Sequence, residues 1–432
     1  MRRRFRLASL VLMMTVAASL AAARAEEPWK VGEPIVAYWA GPGFPGGGPL
    51  DDAAADRIAA GGWNLAWCSS VEELDVAHRH GLRGLLSDPV IVPASLEDDG
   101  RREALAALIE RVREHPAMYA YHLVDEPSAG AFPALGKLVA FLRERDPAHL
   151  AYINLLPTYA DNEQLGVEGP IVQAYEEHLR RFVEVVRPAM LSYDHYQFRR
   201  GDDAPDYFLN LALVRKQALE SDLPFLNIVQ ASSWVPGTAA SPSSPRVPGP
   251  EEMRFLVYTT LAYGAQGISY YVYQYPKHDG GMIDPDGQPS PRYRAVETLN
   301  REFVAIAREL QPLRSLAVYH AGMTPPGAVP LPAEEPFRLD PPIAPEEFKP
   351  GDRARGILIG LFGPAGEGAS HAMVVNLDYK ADRTTTLVAP APLEVYDAIT
   401  GQWTPAQASR VELHLPGGGG KLVRLAPPTA AR

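Results

Sequence analysis

The chain has 432 residues, 46% hydrophobic and 22% charged, enough apolar material for a sizeable soluble core. Its formal net charge of −11 disfavours general binding to nucleic acid or to anionic lipid. A lone cysteine, Cys68, excludes an internal disulfide and a cysteine-rich metal centre.

The first 25 residues, MRRRFRLASLVLMMTVAASLAAARA, combine a basic start, an apolar run and a small-residue site at Ala23-Arg24-Ala25. This is the pattern of a cleaved export signal, and the run is short for a membrane span. The arginines also fit a twin-arginine signal, so two export routes are open. Cleavage would remove five arginines and no acids, moving the net charge to −16. The mature chain is therefore expected in the periplasm or outside the cell, with no further membrane contact.

From Pro34 to Pro312 two textures alternate. Eight short apolar or aromatic runs read as strands: 34–41, 63–70, 82–88, 118–127, 150–157, 188–198, 224–234 and 267–276. Helical patterns lie between them. In residues 132–148, for example, Phe132, Leu135, Val139 and Leu142 share one face. Runs that are apolar throughout suit parallel strands buried on both faces. Eight of them, each followed by a helix, predict a (β/α)8 TIM barrel over residues 30–315. An open doubly wound sheet is the competitor, but GPGFPGGGPL after the first strand lacks its phosphate-loop spacing and reads as a flexible loop. Residues 316–353 read as one strand, Leu316–Tyr319, and a proline-rich linker. Residues 354–427 contain five short strands with turns between them, predicting a small C-terminal antiparallel β-sandwich.

In such a barrel the active site lies at the C-terminal ends of the strands. Those ends offer Tyr38 and Trp39, then Asp88, Asp125 and Glu126, Asn154, and Asp194 with His195 and Tyr196. The last two strands add Gln230 with Trp234, and Tyr271, Tyr273 and Tyr275. Acids, amides and rings in one opening suit a carbohydrate, whose apolar face stacks on aromatics and whose hydroxyls need directed partners. Glycosidic cleavage needs two carboxyl groups, one to protonate the leaving oxygen and one to attack or to activate water. Glu126 is the expected proton donor, with Asp194 or Asp125 as the second carboxyl. Asn154, His195, Tyr196 and Gln230 are expected to hold hydroxyls, and Trp39, Trp234, Tyr273 and Tyr275 to stack on rings. No cofactor or metal is expected.

The Asp125-Glu126-Pro127 end of the fourth run resembles the Asn-Glu(-Pro) motif of the clan A glycoside hydrolases. His195-Tyr196 and Leu261–Gly267 are similar to features of the family 42 β-galactosidase-like barrels. The resemblance covers roughly Pro34 to Pro312 and implies that Glu126 is the acid/base. Two departures stand out: the clan's Asn is Asp125 here, and its strand-seven Glu nucleophile is missing, with Gln230 near that place. Three readings follow. Asp194 takes over; Asp125 and Glu126 act together, assisted by a substrate acetamido group; or the barrel binds saccharide without cutting it. Strands four and six are two apart, about 9 Å between backbones, which leans slightly towards the wide carboxyl spacing of inverting enzymes.

Simpler roles compete. Glu126 would also serve as the acid at a helix N-terminus, and Asp194 as a bonded strand-end acid. His122 and Cys68 read as core residues, and Asp284–Gly287 as a turn.

Overall fold

The computed structural model describes residues 29–234, 241–405 and 408–427. The expected export signal, residues 1–25, lies outside the described residues.

All eight expected runs contain strands, and each strand is followed by a helix. In chain order these are β1 (Ile35–Trp39), α1 (Asp52–Ala60), β2 (Leu65–Cys68), α2 (Val71–Arg79), β3 (Arg83–Leu86), α3 (Asp99–Val112), β4 (Met118–Asp125) and α4 (Phe132–Arg145). Then follow β5 (Leu150–Asn154), α5 (Ile171–Arg181), β6 (Leu191–His195), α6 (Tyr207–Ser221), β7 (Phe225–Gln230), α7 (Pro250–Ala262), β8 (Gly267–Tyr271) and α8 (Pro291–Leu310). The strands are buried along nearly their whole length, as continuous apolar runs require. Side-chain caps start several helices: Asp51, Ser70 and Asp98 each accept the backbone N–H three residues on. The face of α4 read from the sequence is the buried one, with Leu138 added.

The strands form two parallel four-stranded arcs, β2-β3-β4-β5 and β6-β7-β8-β1. At one seam Leu155, just past β5, bridges Tyr193 in parallel, and its N–H donates to the Ser192 carbonyl at 2.8 Å. At the other, side chains supplement a sparse ladder. Asn64 donates its N–H to the Val36 carbonyl at 3.0 Å and accepts the Val36 N–H on Oδ1 at 2.9 Å. Trp67 Nε1 donates to the Tyr38 carbonyl at 2.6 Å. The arrangement is TIM-barrel-like.

The glycine-rich segment after β1 is folded, not loose. Gly43 has φ +75°, and a Cβ there would lie 2.0 Å from the Trp67 carbonyl oxygen. The tight turn seats Phe44 against Trp67 and Trp39, with ring centroids 4.8 and 5.8 Å away.

The C-terminal part contains β9 (Arg314–Gly322), β10 (Gly356–Gly363), β11 (His371–Asn376), β12 (Arg383–Val388), β13 (Leu393–Asp397), β14 (Gln402–Pro405), β15 (Arg410–Leu415) and β16 (Gly420–Leu425). These build an antiparallel six-stranded sheet, β9-β10-β11-β16-β13-β14, and a smaller one containing β12 and β15. The proline-rich stretch contributes to the second sheet, because Arg338–Leu339 pairs with β12 and Phe337 is fully buried between the sheets.

Alternation along β10 serves two cores. Ile357, Ile359 and Leu361 face the space between the two sheets, while Leu358 and Phe362 join the core of the parallel-stranded part. Gly360 permits the close approach to α7, since a Cβ there would sit 2.0 Å from the Ala262 carbonyl oxygen. Tyr379 seals the junction: its hydroxyl donates to Asp203 Oδ2 at 2.7 Å, and its ring packs on Phe198 and Phe255.

Candidate active site

A cleft of about 260 Å³ opens at the C-terminal ends of the strands. Asp125, Glu126, Asn154 and Asp194 line it together with Trp39, Tyr159, Tyr196, Trp234 and Tyr271. A larger groove of about 1210 Å³ lies at the opposite strand ends and holds one acid, Asp222, among several arginines. The convergent carboxyl groups mark the smaller cleft as the place for chemistry.

Asn154 organises the acids. Its Nδ2 donates to Asp125 Oδ1 at 3.1 Å and to Asp194 Oδ1 at 2.9 Å. Its Oδ1 accepts from Ser192 Oγ at 3.0 Å, and Ser192 Oγ also pairs with the Tyr152 hydroxyl at 2.8 Å. Both amide hydrogens of Asn154 are therefore occupied. It orients carboxyl groups through both of them, where the sequence reading expected it to hold a substrate hydroxyl.

Asp194 sits deepest, 2% exposed, with Oδ2 buried and without a hydrogen-bond partner among the described residues. Burial holds its pKa well above the ordinary carboxyl range, and the charges of Glu126 and Asp125 push it the same way. Glu126 lies nearer the mouth, close enough to Asp194 for the two carboxyls to bias each other's proton, although no full hydrogen bond satisfies Oδ2. Burial raises Glu126 as well. Asp125 is pushed up to about 7, first by burial and then by the Glu126 charge, with the Asn154 bond opposing. Water reaches both Asp125 and Glu126 at the mouth, so their electrostatic penalties are softened.

Glu126 adopts φ +47°, in the left-handed region that costs a residue with a Cβ about 1 kcal/mol or more. Its N–H still donates to the Asn154 carbonyl at 2.9 Å, prolonging the β4–β5 ladder. That turn breaks the strand's alternation and lets consecutive acids reach one cleft.

Several expected residues are placed otherwise. His195 is fully buried behind Tyr159, against Tyr207, with Nε2 3.5 Å from Asp206 Oδ1. Asp206 also accepts from Thr158 Oγ1 at 2.8 Å, so this group fixes the segment that carries Tyr159. Gln230 is fully buried and its amide is consumed by backbone. Oε1 accepts the Phe198 N–H at 2.7 Å, and Nε2 donates to the carbonyls of Phe198 at 2.9 Å and Arg246 at 2.6 Å. Tyr273 packs between Tyr38 and Trp63, away from the opening. Tyr275 is an exposed ring against His278, outside the cleft wall. Asp88 accepts the Val90 N–H in a local turn. Cys68 is buried, as expected of a small core residue. His122 lies beneath the floor between Trp67 and Trp39, and burial lowers its pKa to about 4.

Sequence reasoning missed Tyr159 and Gln164, which line the cleft from the β5–α5 connection. Tyr159 is half exposed and stands over the acids. The available signal was an aromatic five residues beyond a strand end that already bears Asn154.

The raised pKa of Asp125 gives a pH test. Relative to an unfolded aspartate near about 3.9, the folded state keeps this proton longer. Stability from it is full below the unfolded value and falls as pH rises towards 7. Asp125→Asn should therefore gain in melting temperature over the wild type between pH 4 and pH 8, by about 1–2 °C given the open setting. Thermal melts across that range check the sign.

No protein-family model matches this chain, and no curated protein matches it. Solved structures do. One, described as a glycoside hydrolase, aligns over 94% of this chain and 99% of its own, at 13% identity and a TM-score of 0.52. A glycoside hydrolase family 5 protein from Bacteroides vulgatus aligns over 93% and 95%, at 13% identity and a TM-score of 0.49. A β-galactosidase from Marinomonas ef1 aligns over 60% of this chain, which spans 58% of that protein, at 13% identity and a TM-score of 0.43. The chain has a glycoside hydrolase-like fold.

Proposed function

We propose that this chain is an exported glycosidase, with its two arcs closed as a (β/α)8 barrel and Glu126 and Asp194 as its carboxyl pair. The observation that carries the reading is the interacting Glu126–Asp194 carboxyl pair, with Asp194 buried under aromatic walls that suit a sugar ring. The substrate is an O-glycoside of an oligo- or polysaccharide.

Glu126 is nearest the mouth, where a leaving group departs, so it donates the proton. Asp194 lies under the ring position and attacks the anomeric carbon. In the empty cleft burial favours the shared proton on Asp194; it passes to Glu126 when substrate displaces water, and from Glu126 to the leaving oxygen. The pair titrates as a unit. Interacting carboxyls favour the short separation of retaining enzymes over the about 6.5–9.5 Å that inversion needs, against the lean drawn from strand counting. Asp125, held by Asn154, is the third carboxyl at the mouth.

Incubation with a panel of chromogenic glycosides, following the anomer released by NMR, tests this. Turnover with retention is expected. Binding of sugars with no turnover across the panel would instead support a saccharide-binding barrel that lacks the strand-seven acid.

A further inference from the structure

Among the described residues, the cleft wall combines acids with rings and contains no basic side chain. Asp125, Glu126 and Asp194 bring three carboxyls to a space of about 260 Å³. Hydrolysis uses two of them. Histidines touch lining residues without lining the cleft themselves. His278 bonds the Tyr271 hydroxyl at 3.2 Å, and His195 faces Asp206 behind Tyr159. Residues 235–240, next to Trp234, read VPGTAA and carry no ionisable side chain.

The rings reinforce the charge. Tyr196 stands against Trp234 and Tyr271, with centroids 4.7 and 5.0 Å away, and Trp234 lies 5.4 Å from Tyr271. Tyr159 covers the other side. A cage of ring faces attracts a cation through their quadrupoles, and carboxylates beside it add direct Coulomb attraction. A neutral sugar requires the rings and two carboxyls, but not a third acid and not a wall free of bases. An anionic sugar would meet these carboxyls with no counter-charge from the described wall residues.

The geometry points to a cationic amino sugar as the residue this cleft selects, its ammonium set between the Asp125 carboxyl and the Tyr196–Trp234–Tyr271 cage. This rests on the saccharide reading above and narrows it. Asp125 is a specificity-determining residue. Its Oδ1 is tied to Asn154, and its position at the mouth meets the ammonium before the ring settles against Asp194. Uronic acids are excluded by repulsion, and N-acetylated sugars lose the charge that the site rewards.

The test uses wild-type protein and free monosaccharides, which have no bond to cleave. Calorimetric titration compares glucosamine with glucose and glucuronate, and galactosamine with galactose and galacturonate, at low and high salt. An amino sugar is expected to bind about tenfold tighter than its neutral counterpart or more, with the ratio shrinking at high salt and uronates not binding. Asp125→Asn should erase most of the ratio by which an amino sugar outbinds its neutral counterpart. Equal or weaker binding of both amino sugars, or measurable uronate binding, overturns the inference. Amino-sugar preference without turnover on the glycoside panel would sink the cleavage reading alone. Turnover of neutral glycosides without amino-sugar preference would sink this inference alone.

Discussion

Glu126→Gln is expected to lower kcat by about 10²–10⁴-fold on glycosides with poor leaving groups, the usual contribution of a positioned general acid. On dinitrophenyl glycosides, whose leaving group departs without a proton, the loss in kcat/KM should shrink to about tenfold or less, while kcat stays low because Glu126 must then act as base for water in the second step. Glutamine keeps the length of the side chain and inherits the same φ of +47°, so fold and melting temperature should barely change. Asp194→Asn should behave differently, losing turnover on both substrate types because the attacking group is gone. If instead Asp194→Asn spares activated substrates and Glu126→Gln does not, the two roles are exchanged. Unchanged turnover in both variants removes the pair from the chemistry.

Gln230→Met is expected to be among the most damaging single changes outside the apolar core. The Gln230 amide satisfies the Phe198 N–H and the carbonyls of Phe198 and Arg246, all at 2.6–2.9 Å, the Phe198 pair fully buried and the Arg246 bond partly so. Each buried backbone group left unpaired costs about 1–3 kcal/mol, so a loss of about 3–5 kcal/mol is expected in urea unfolding. Methionine matches the shape, which isolates the polar loss from a cavity. Because this side chain does not line the cleft, KM measured well below the melting range should stay close to the wild type. A raised KM with unchanged stability would restore Gln230 to the sugar-binding role that its place near the strand-seven end first suggested.

These contrasts mark what was legible in the sequence. Strand positions were, because a strand covered on both faces must be apolar throughout, and glycine or proline punctuates its ends. The polar mouth residues were legible for the same reason: Asp125, Asn154 and Asp194 interrupt otherwise apolar runs. Side-chain direction was harder. Alternation along β6 places Asp194 and Tyr196 on the cleft side and sends His195 to the helices, so reading all three into the site overlooked the pleat. Glu126 defeats the same rule in the opposite sense, through its left-handed turn. Tyr159 and the loop that engages Gln230 belong to connections without periodicity, and only tertiary contacts fix them. The strand Arg338–Leu339 was hidden among prolines because two residues are too few to show a pattern.

The seating of the six-stranded sheet on α7 has a practical corollary for anyone wishing to trim or recombine this chain. Leu358, Phe362, Met373 and Leu422 belong to the same apolar cluster as the barrel helices. Tyr379 reaches the segment that leads from Phe198 through Asp203, whose neighbour Arg246 supplies one of the carbonyls gripped by Gln230. The two halves behave as one casting. A shortened gene ending after α8 would yield a parallel-stranded half with a bare greasy flank and a slackened rim, and grafting this tail onto another protein would carry the same defect in reverse.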